Sequence, residues 1–255
     1  MDPLSAIRRR IEWRRREGAA RASGRIRLTG RHWGVLVAFA VTGVIVAVGV
    51  GWPQSVAPKV DPARAATARG QLAALIVLRA RPPHDRAYAR EAFGPAWTDA
   101  AQVAGGGNAC DTRNDVLSRD LRVDKSVAAA NCRHAVAAGR FRSPYTGQEV
   151  VFERGRGSRL VQIDHIVPLA YAWDMGAARW PPERRTALAN DPANLVAVDA
   201  ASNQAKSDAE PARWMPPLLT FWCQYAVQFV EVSWAYRLPV DQASRAVLAR
   251  ALAEC

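Results

Sequence analysis

The sequence predicts an α+β domain preceded by a single transmembrane helix. Three observations predict this: a charge-free apolar run near the N-terminus, a mixture of helix-like and strand-like segments beyond it, and 17 Gly with 16 Pro, which indicate short elements joined by many loops. The chain has 255 residues, of which 49% are hydrophobic, and this suffices for one domain of ordinary size with extensions.

Positive charge is concentrated at the N-terminus. The formal net charge is +12, and ten arginines against three acidic residues leave +7 before residue 59. Net charge of this sign disfavours an acidic disordered chain and indicates a polyanionic partner, either nucleic acid or anionic lipid. Because the arginines directly precede the apolar run, membrane topology and anionic lipid explain them better than a DNA-binding patch does.

The apolar run covers residues 32–52 and reads HWGVLVAFAVTGVIVAVGVGW. About twenty residues at 1.5 Å each span a hydrocarbon core of about 30 Å, and Trp33 and Trp52 mark its two edges. The run has no polar face, which disfavours a buried core helix. The positive-inside rule then places the basic tail, residues 1–31, in the cytoplasm and the rest of the chain outside.

A cleaved signal peptide is the alternative for the same segment. The small-x-small tripeptide Ser55-Val56-Ala57 is a possible cleavage site, although Pro58 follows it and the apolar run exceeds the usual length. Cleavage would release the domain as a secreted protein instead of leaving it tethered to the cell membrane.

All four cysteines follow the apolar run, and none forms a CxxC pair: Cys110, Cys132, Cys223 and Cys255. An even number outside a membrane predicts disulfides rather than zinc ligands. Three pairings are open. Sequence proximity favours the first cysteine with the second and the third with the fourth, closing loops of roughly 20 to 35 residues worth about 3 to 4 kcal/mol each. Four free buried thiols are the alternative.

The remaining elements are predicted from local patterns. Residues 53–83 are expected to form a linker and a helix over 61–79 that has Asp61 as N-cap and Pro62 in its first turn, and the compact domain is expected to cover 84–255. Further helices are predicted at 115–122, 126–138 and 218–232, and strands at 148–153 and 159–167. The two strands are expected to pair as a hairpin through residues 155–158.

Polar residues in the following segment have the pattern of a hydrolytic site. Asp164 and His165 end a predicted strand, Asn194 opens another, and Asn203 and Lys206 lie on a helix. Hydrolysis of a phosphodiester needs a base that deprotonates water and a hard divalent cation with oxygen ligands. An imidazole with a pKa of about 6.5 is such a base, and carboxylate and carboxamide oxygens suit Mg²⁺ or Mn²⁺.

Adjacent strand residues point to opposite faces, so the neighbouring carboxylate and imidazole can serve one phosphate only where the strand ends or bends. Pro168, three residues after His165, predicts such an end.

The order Asp164-His165, Asn194-Leu195, Asn203-x-x-Lys206 resembles the HNH (ββα-metal) endonucleases. Residues 84–255 are more narrowly similar to actinobacterial HNH proteins related to the C-terminal nuclease domain of GmrSD-type restriction enzymes. The supporting motifs are Cys110-Asp111-Thr112-Arg113-Asn114, Arg119-Asp120-Leu121, Ser143-Pro144-Tyr145-Thr146-Gly147, Ala172-Trp173, Gly176-Ala177, Ala189-Asn190-Asp191-Pro192 and Trp214-Met215-Pro216-Pro217. The resemblance implies a ββα-metal core with surrounding helices.

The resemblance also implies a role for each matching residue. His165 would be the general base, Asp164 and Asn203 would hold one divalent cation, and Asn194 would orient the loop and the base. Asn203 stands where many relatives have a second His, which favours Mg²⁺ over softer ions. Lys206 is expected either to contact phosphate or to be solvated. The same two readings hold for the turn arginines Arg154, Arg156 and Arg159.

Together these features predict a membrane-tethered, outward-facing DNA endonuclease that depends on Mg²⁺ or Mn²⁺ and has low sequence specificity. The alternative is a catalytically idle module of the same fold that binds DNA or a protein partner at the cell envelope. The residues themselves indicate no particular protein partner.

Overall fold

The computed structural model describes residues 60–255. The predicted basic tail, the apolar segment 32–52 and the possible cleavage site lie outside the described residues. Within residues 60–255, no helix combines the length and the apolar character that crossing a membrane requires.

The described chain is a mixed α+β fold, as predicted. Its α-helices are α1 (Pro62–Ala74), α2 (Thr112–Asp120), α3 (Leu169–Asp174), α4 (Pro182–Asn190), α5 (Ala200–Lys206), α6 (Trp222–Ala235) and α7 (Gln242–Ala253). Its strands are β1 (Val77–Leu78), β2 (Arg122–Ala129), β3 (Cys132–Arg142), β4 (Glu149–Glu153), β5 (Val161–His165), β6 (Leu195–Asp199) and β7 (Val240–Asp241). Short 3₁₀ turns lie at Arg90–Phe93, Ala177–Arg179, Pro192–Asn194 and Leu219–Phe221.

These strands form three small sheets. β2, β3 and β4 make an antiparallel meander, while β1 and β7 pair in parallel. β5 and β6 pair antiparallel, with Asp164 opposite Val196 and His165 opposite Leu195. Helix α5 begins directly after β6 and contacts both strands, so β5, β6 and α5 pack together as one unit.

The predicted helix at 126–138 is wrong, because this segment contributes to strands β2 and β3. Its alanines favour a helix locally, but tertiary pairing decides the outcome. β3 is hydrogen-bonded to β2 on one edge and to β4 on the other. A Cβ at Gly139 would lie 2.9 Å from the backbone oxygen of Arg122, so this glycine permits the close approach of β2 and β3.

The hairpin predicted between 148–153 and 159–167 is also wrong, although both strands exist. β4 pairs with β3, and β5 pairs with β6, which follows it by about thirty residues. Sequence neighbours often pair, but here the connection turns the chain from one sheet into the next.

Helix α1 belongs to the same compact domain as the site. It begins as predicted, with the Asp61 side chain accepting a hydrogen bond from the backbone of Ala63. It ends at Ala74 rather than near 79, because Val77 and Leu78 pair with β7. Its buried face packs into the larger hydrophobic core with residues of α6 and α7. The domain therefore begins before the predicted boundary at residue 84.

Two disulfides close the fold, with the pairing that sequence proximity favours. Cys110 is bonded to Cys132 and Cys223 to Cys255, at sequence separations of 22 and 32 residues. The first joins the start of α2 to β3, and the second joins α6 to the C-terminus. Disulfides persist in oxidising compartments, so the pairing fits an extracellular location.

Candidate active site

The Asp-His pair lies where strand β5 ends. β5 stops at His165, and Pro168 precedes helix α3, so the backbone leaves the sheet directly after the pair. Both side chains consequently face one polar cavity of about 430 Å³, which Asn203 of helix α5 also lines. The structure thus brings together the imidazole, the carboxylate and the carboxamide that the motif singled out.

Hydrogen bonding fixes the tautomer of His165. Its Nε2 lies 2.9 Å from the carbonyl oxygen of Ala189, and its ring stacks on Trp97 with the centroids 5.8 Å apart. A carbonyl oxygen only accepts, so Nε2 carries the proton and donates it, while Nδ1 keeps a lone pair. No hydrogen bond from a residue of the described chain reaches Nδ1.

Burial determines the protonation state of the same ring. His165 is 6% exposed, and desolvation lowers its pKa from the ordinary value to about 3, with smaller contributions from the positive charges of Arg90 and Lys206. The hydrogen bond to Ala189 acts in the opposite direction. His165 is therefore neutral at pH 7, as a proton acceptor must be.

Asp164 is held by a cation and a phenol. The Lys206 Nζ lies 2.7 Å from its Oδ2 and 3.0 Å from its Oδ1, and the Tyr145 hydroxyl donates a hydrogen bond to Oδ2. Tyr145 is fully buried, and this burial, with the neighbouring carboxylate, raises the pKa of its phenol well above the ordinary value. The phenol therefore stays protonated and remains a donor.

Lys206 occupies an interior position, which contradicts both alternatives predicted for it, a phosphate contact and a solvated side chain. It is 0% exposed, and its ammonium also donates to the backbone oxygen of His165, at 2.6 Å. An ammonium enclosed in this way has its donors occupied by protein oxygens. Lys206 accordingly ties helix α5 to the end of β5.

Asn203 is fixed through its amide nitrogen, which donates to the Gln162 side chain at 2.7 Å. This bond leaves the carboxamide oxygen as the Asn203 atom suited to a cation. Together with Asp164, it places hard oxygen donors on the wall of one cavity, which fits Mg²⁺ or Mn²⁺ in chemical type.

The donor set is sparse for a metal site. Within residues 60–255, no group of three or more His, Cys, Asp and Glu side chains is arranged to hold a metal ion. Mg²⁺ commonly binds proteins through one or two carboxylates and takes its other ligands from water and substrate phosphate, so a sparse set is compatible with it.

Asn194 is buried, and its side chain forms hydrogen bonds with the backbone that follows His165. Its Oδ1 accepts from the Val167 backbone nitrogen at 2.8 Å, and its Nδ2 donates to the backbone oxygens of Val167 and Leu188, each at 3.3 Å. Its own backbone oxygen accepts from Ile166 at 2.8 Å. The side chain thus orients the segment carrying His165 without facing the polar cavity.

Helix α5 is positioned by its N-cap. The Asp199 carboxylate accepts from the Ser202 backbone at 2.8 Å and from the Ser143 hydroxyl at 2.6 Å. Burial alone would raise the pKa of Asp199, but these hydrogen bonds outweigh it and lower the pKa. The capped helix places Asn203 on the cavity wall and Lys206 one turn further along, in the interior.

Helix α2 binds the outer edges of β5 and β6. Arg113 donates to the Val161 backbone oxygen at 3.0 Å, Arg119 donates to that of Leu195 at 2.7 Å, and Asp120 accepts from the Ala197 nitrogen at 2.8 Å. These side chains occupy backbone groups of the strands, so their position indicates a structural role.

Comparison with known proteins agrees with this arrangement. Residues 111–242, just over half of the chain, match the family described as GmrSD restriction endonucleases, C-terminal domain. The chain belongs to this family. The matched range contains β5, β6 and α5 with all the site side chains described above except Arg90 and Trp97. The GmrSD C-terminal domain family is related to the HNH nucleases, which implies a nuclease acting on nucleic acid.

A relative from Arthroderma benhamiae supports the same grouping. It is 37% identical over 196 residues, covering 75% of this chain and 86% of the relative, and its name is "Uncharacterized secreted protein". No solved structure matches the chain.

The turn arginines lie apart from the cavities around His165. Arg154 donates to the Val136 backbone oxygen at 2.9 Å and to the Asn114 side chain, which ties it to β3 and α2. Arg156 and Arg159 are exposed between β4 and β5. None of the three lines the cavity that holds Asp164.

Three neighbours of the Asp164-His165 pair are not predicted by the sequence. The sequence marks Tyr145 only as part of a family motif in a turn, and Arg90 and Trp97 precede the range that matches the GmrSD C-terminal domain. Arg90 lines the cavities on both sides of His165. No local signal marks these residues, because long-range packing creates their contacts.

Proposed function

We propose that this protein is a divalent-metal-dependent endonuclease that hydrolyses phosphodiester bonds of DNA. The observation that carries the proposal is the neutral imidazole of His165. Its Nδ1 accepts no hydrogen bond from the described chain, and the ring lines a cavity together with Asp164 and Asn203. The arrangement of β5, β6 and α5 around it has the order of the ββα-metal core that the sequence motif implies.

His165 acts as general base in this proposal. The hydrogen bond from Nε2 to Ala189 holds the ring so that Nδ1 takes the proton from the attacking water. A bound phosphate brings negative charge beside the ring and raises its pKa, which strengthens the base while substrate is present. The products would carry 5′-phosphate and 3′-hydroxyl ends, as the resemblance implies.

Asp164 and Asn203 would hold the cation, with water and substrate phosphate as its further ligands. When bound, the cation supplies stabilisation of the negative charge on the scissile phosphate and the departing oxygen. Lys206 and Tyr145 orient the Asp164 carboxylate, and Asn194 keeps the turn after His165 in place. The positive charge of Lys206 offsets that of the carboxylate, so we expect weak metal affinity in the absence of substrate.

Low sequence specificity is part of the proposal. Residues 60–255 contain no zinc site and no evident helix-turn-helix, the modules that most often read base edges.

We also propose that the domain works outside the cytoplasm. Its two disulfides and the printed name of the Arthroderma benhamiae relative support this location. Tethering through residues 32–52, with residues 1–31 in the cytoplasm, rests on the sequence alone, and cleavage after that segment would make the protein secreted.

The direct test is incubation of the purified full-length protein with supercoiled plasmid in Mg²⁺, Mn²⁺, Ca²⁺ or EDTA. We expect nicked and linear DNA with Mg²⁺ and Mn²⁺ and intact plasmid in EDTA. Intact plasmid in every metal would contradict the proposal.

One observation favours the idle module as a second candidate. The carboxylate of Asp164 is already paired with a buried ammonium, which satisfies its charge with no cation present. A module of this kind would shift DNA in a gel but cleave it under no metal condition.

A further inference from the structure

Two cavities meet at His165, and they differ in chemistry. The polar one contains Asp164 and Asn203. The other has a volume of about 410 Å³, and its lining is mainly apolar, from Phe93, Pro95, Ala96, Trp97, Leu169 and Ala189. Arg90, His165 and Leu169 line both, so the two cavities adjoin at the imidazole.

The apolar cavity is built by the segment before helix α2. Phe93 is buried, and Gly94 adopts φ +84° where a Cβ would lie 2.5 Å from the Thr186 hydroxyl, so this turn packs against α4. Pro95 and Ala96 are exposed, and they form a wall that a ligand can reach from solvent. Trp97 closes the far side by stacking on His165.

Arg90 supplies positive charge where the cavities join. Its side chain is exposed, and no residue of the described chain forms a hydrogen bond or an ion pair with it. Its charge lies near enough to His165 to lower the pKa of the imidazole. A guanidinium here suits a phosphate oxygen beside the scissile position, because its fork of donors matches phosphate geometry.

We propose that the apolar cavity is a subsite for one unpaired base of the substrate strand, with Arg90 binding the adjacent phosphate. This inference rests on the proposed nuclease function and adds the form of the substrate to it. A nucleobase is a flat apolar surface with polar edges, and contacts between bases and aromatic or apolar side chains are tolerant of sequence. The asymmetry of the two cavities matches a nucleotide, whose charged phosphate would face Asn203 and Arg90 while its base faces Phe93.

Duplex DNA does not present its bases in this way. A paired base is stacked within the helix and enters a pocket only after it is unpaired, which costs free energy. The enzyme is therefore expected to prefer single-stranded DNA or unpaired regions of a duplex.

The test measures binding in EDTA, so that its outcome does not depend on hydrolysis. The full-length protein is titrated against a labelled single-stranded oligodeoxynucleotide, its blunt duplex, and a single strand of the same length with abasic sites, and fluorescence anisotropy is recorded. We expect the normal single strand to bind about tenfold more tightly than either of the others.

Two variants separate the base contact from the phosphate contact. Ala96→Leu places a larger side chain on the wall of the apolar cavity, where it obstructs a base, and should reduce single-strand affinity about tenfold while leaving abasic and duplex binding unchanged. Arg90→Ala should weaken the normal and the abasic strand equally. Ala73→Leu is the matched control, since Ala73 is also an exposed alanine that lines a separate surface cavity beside α7. The arginines of residues 1–31 contribute equally to every variant.

The possible outcomes test the base subsite and the nuclease activity separately. Equal affinity for normal and abasic strands, or unchanged binding by Ala96→Leu, would overturn the base subsite even if plasmid cleavage is observed. Base-dependent binding without cleavage in any metal would support the subsite and contradict the nuclease. Circular dichroism of each variant checks that it is folded.

Discussion

The two walls of the candidate active site are built in opposite ways. One wall, formed by β5, β6 and α5, holds its polar side chains in buried hydrogen bonds. Asp164 and Lys206 are paired, and behind this wall Asn194, in the 3₁₀ turn before β6, is bonded to the backbone three times. The other wall, residues 90–97, is a 3₁₀ turn and an irregular segment with exposed Arg90 and Ala96. Regular, hydrogen-bonded elements fix the groups that perform chemistry, while the irregular segment presents surface to a substrate.

This contrast predicts that the same kind of substitution has different effects on the two walls. Changes in the buried wall should affect chemistry or stability strongly. Changes in the exposed wall should affect binding and leave the fold intact.

The largest effect is expected from His165→Ala. Removal of the general base should lower the rate of Mg²⁺-dependent plasmid nicking by about 10² to 10⁴-fold. His134→Ala is the matched control, because His134 is exposed on β3. Nicking by His165→Ala at the rate of the control would exclude His165 as the base.

Lys206→Met should destabilise the buried wall. Methionine keeps the length and apolar stem but leaves the buried carboxylate of Asp164 without its cation, and breaking a buried ion pair from one side costs about 3 to 5 kcal/mol. Urea unfolding followed by circular dichroism measures the free energy of unfolding. Lys125→Met, at an exposed position of β2, is the control, and equal values for the two variants would show that the pair contributes no stability.

Asn203→Ala should weaken metal binding with little effect on the fold. Loss of one oxygen ligand is expected to raise the Mn²⁺ concentration for half-maximal nicking about tenfold, and to reduce the thermal stabilisation that Mn²⁺ gives. Gln204→Ala, an exposed neighbour on the same helix, provides the comparison. The ligand assignment fails if both variants respond to Mn²⁺ alike.

The smallest stability effect is expected at the exposed wall. Arg90→Ala removes no hydrogen bond or ion pair within the described chain, so the free energy of unfolding should stay within about 0.5 kcal/mol of the unmodified protein. Urea unfolding gives this value alongside that of Lys206→Met. A loss as large as that variant's would contradict the distinction between the two walls.

The sequence located the chemistry of the site because its motif is local. Asp164 and His165 are neighbours that end a strand, and Asn203 follows the next strand on a helix, so order and spacing were sufficient to place them near one another. The start of α1 and the disulfide pairing were likewise predictable, because an N-cap and short loop closure depend on nearby residues.

Residues 122–142 show where local reasoning fails. The alanine-rich stretch favours a helix by propensity, yet its residues gain two neighbouring strands and a disulfide in the folded domain. Non-local pairing of this kind overrides a weak local preference.

The sequence by itself determined which residue types are available for hydrolysis, their order along the chain and the charge-free segment before the domain. Tertiary structure decided the burial of Lys206 against Asp164, the donor role of Tyr145, and the placement of Arg90 and Trp97 around His165. These contacts join residues up to 75 positions apart, and their strength depends on exclusion of water. Only the packed interior provides that exclusion, so no local pattern in the sequence encodes it.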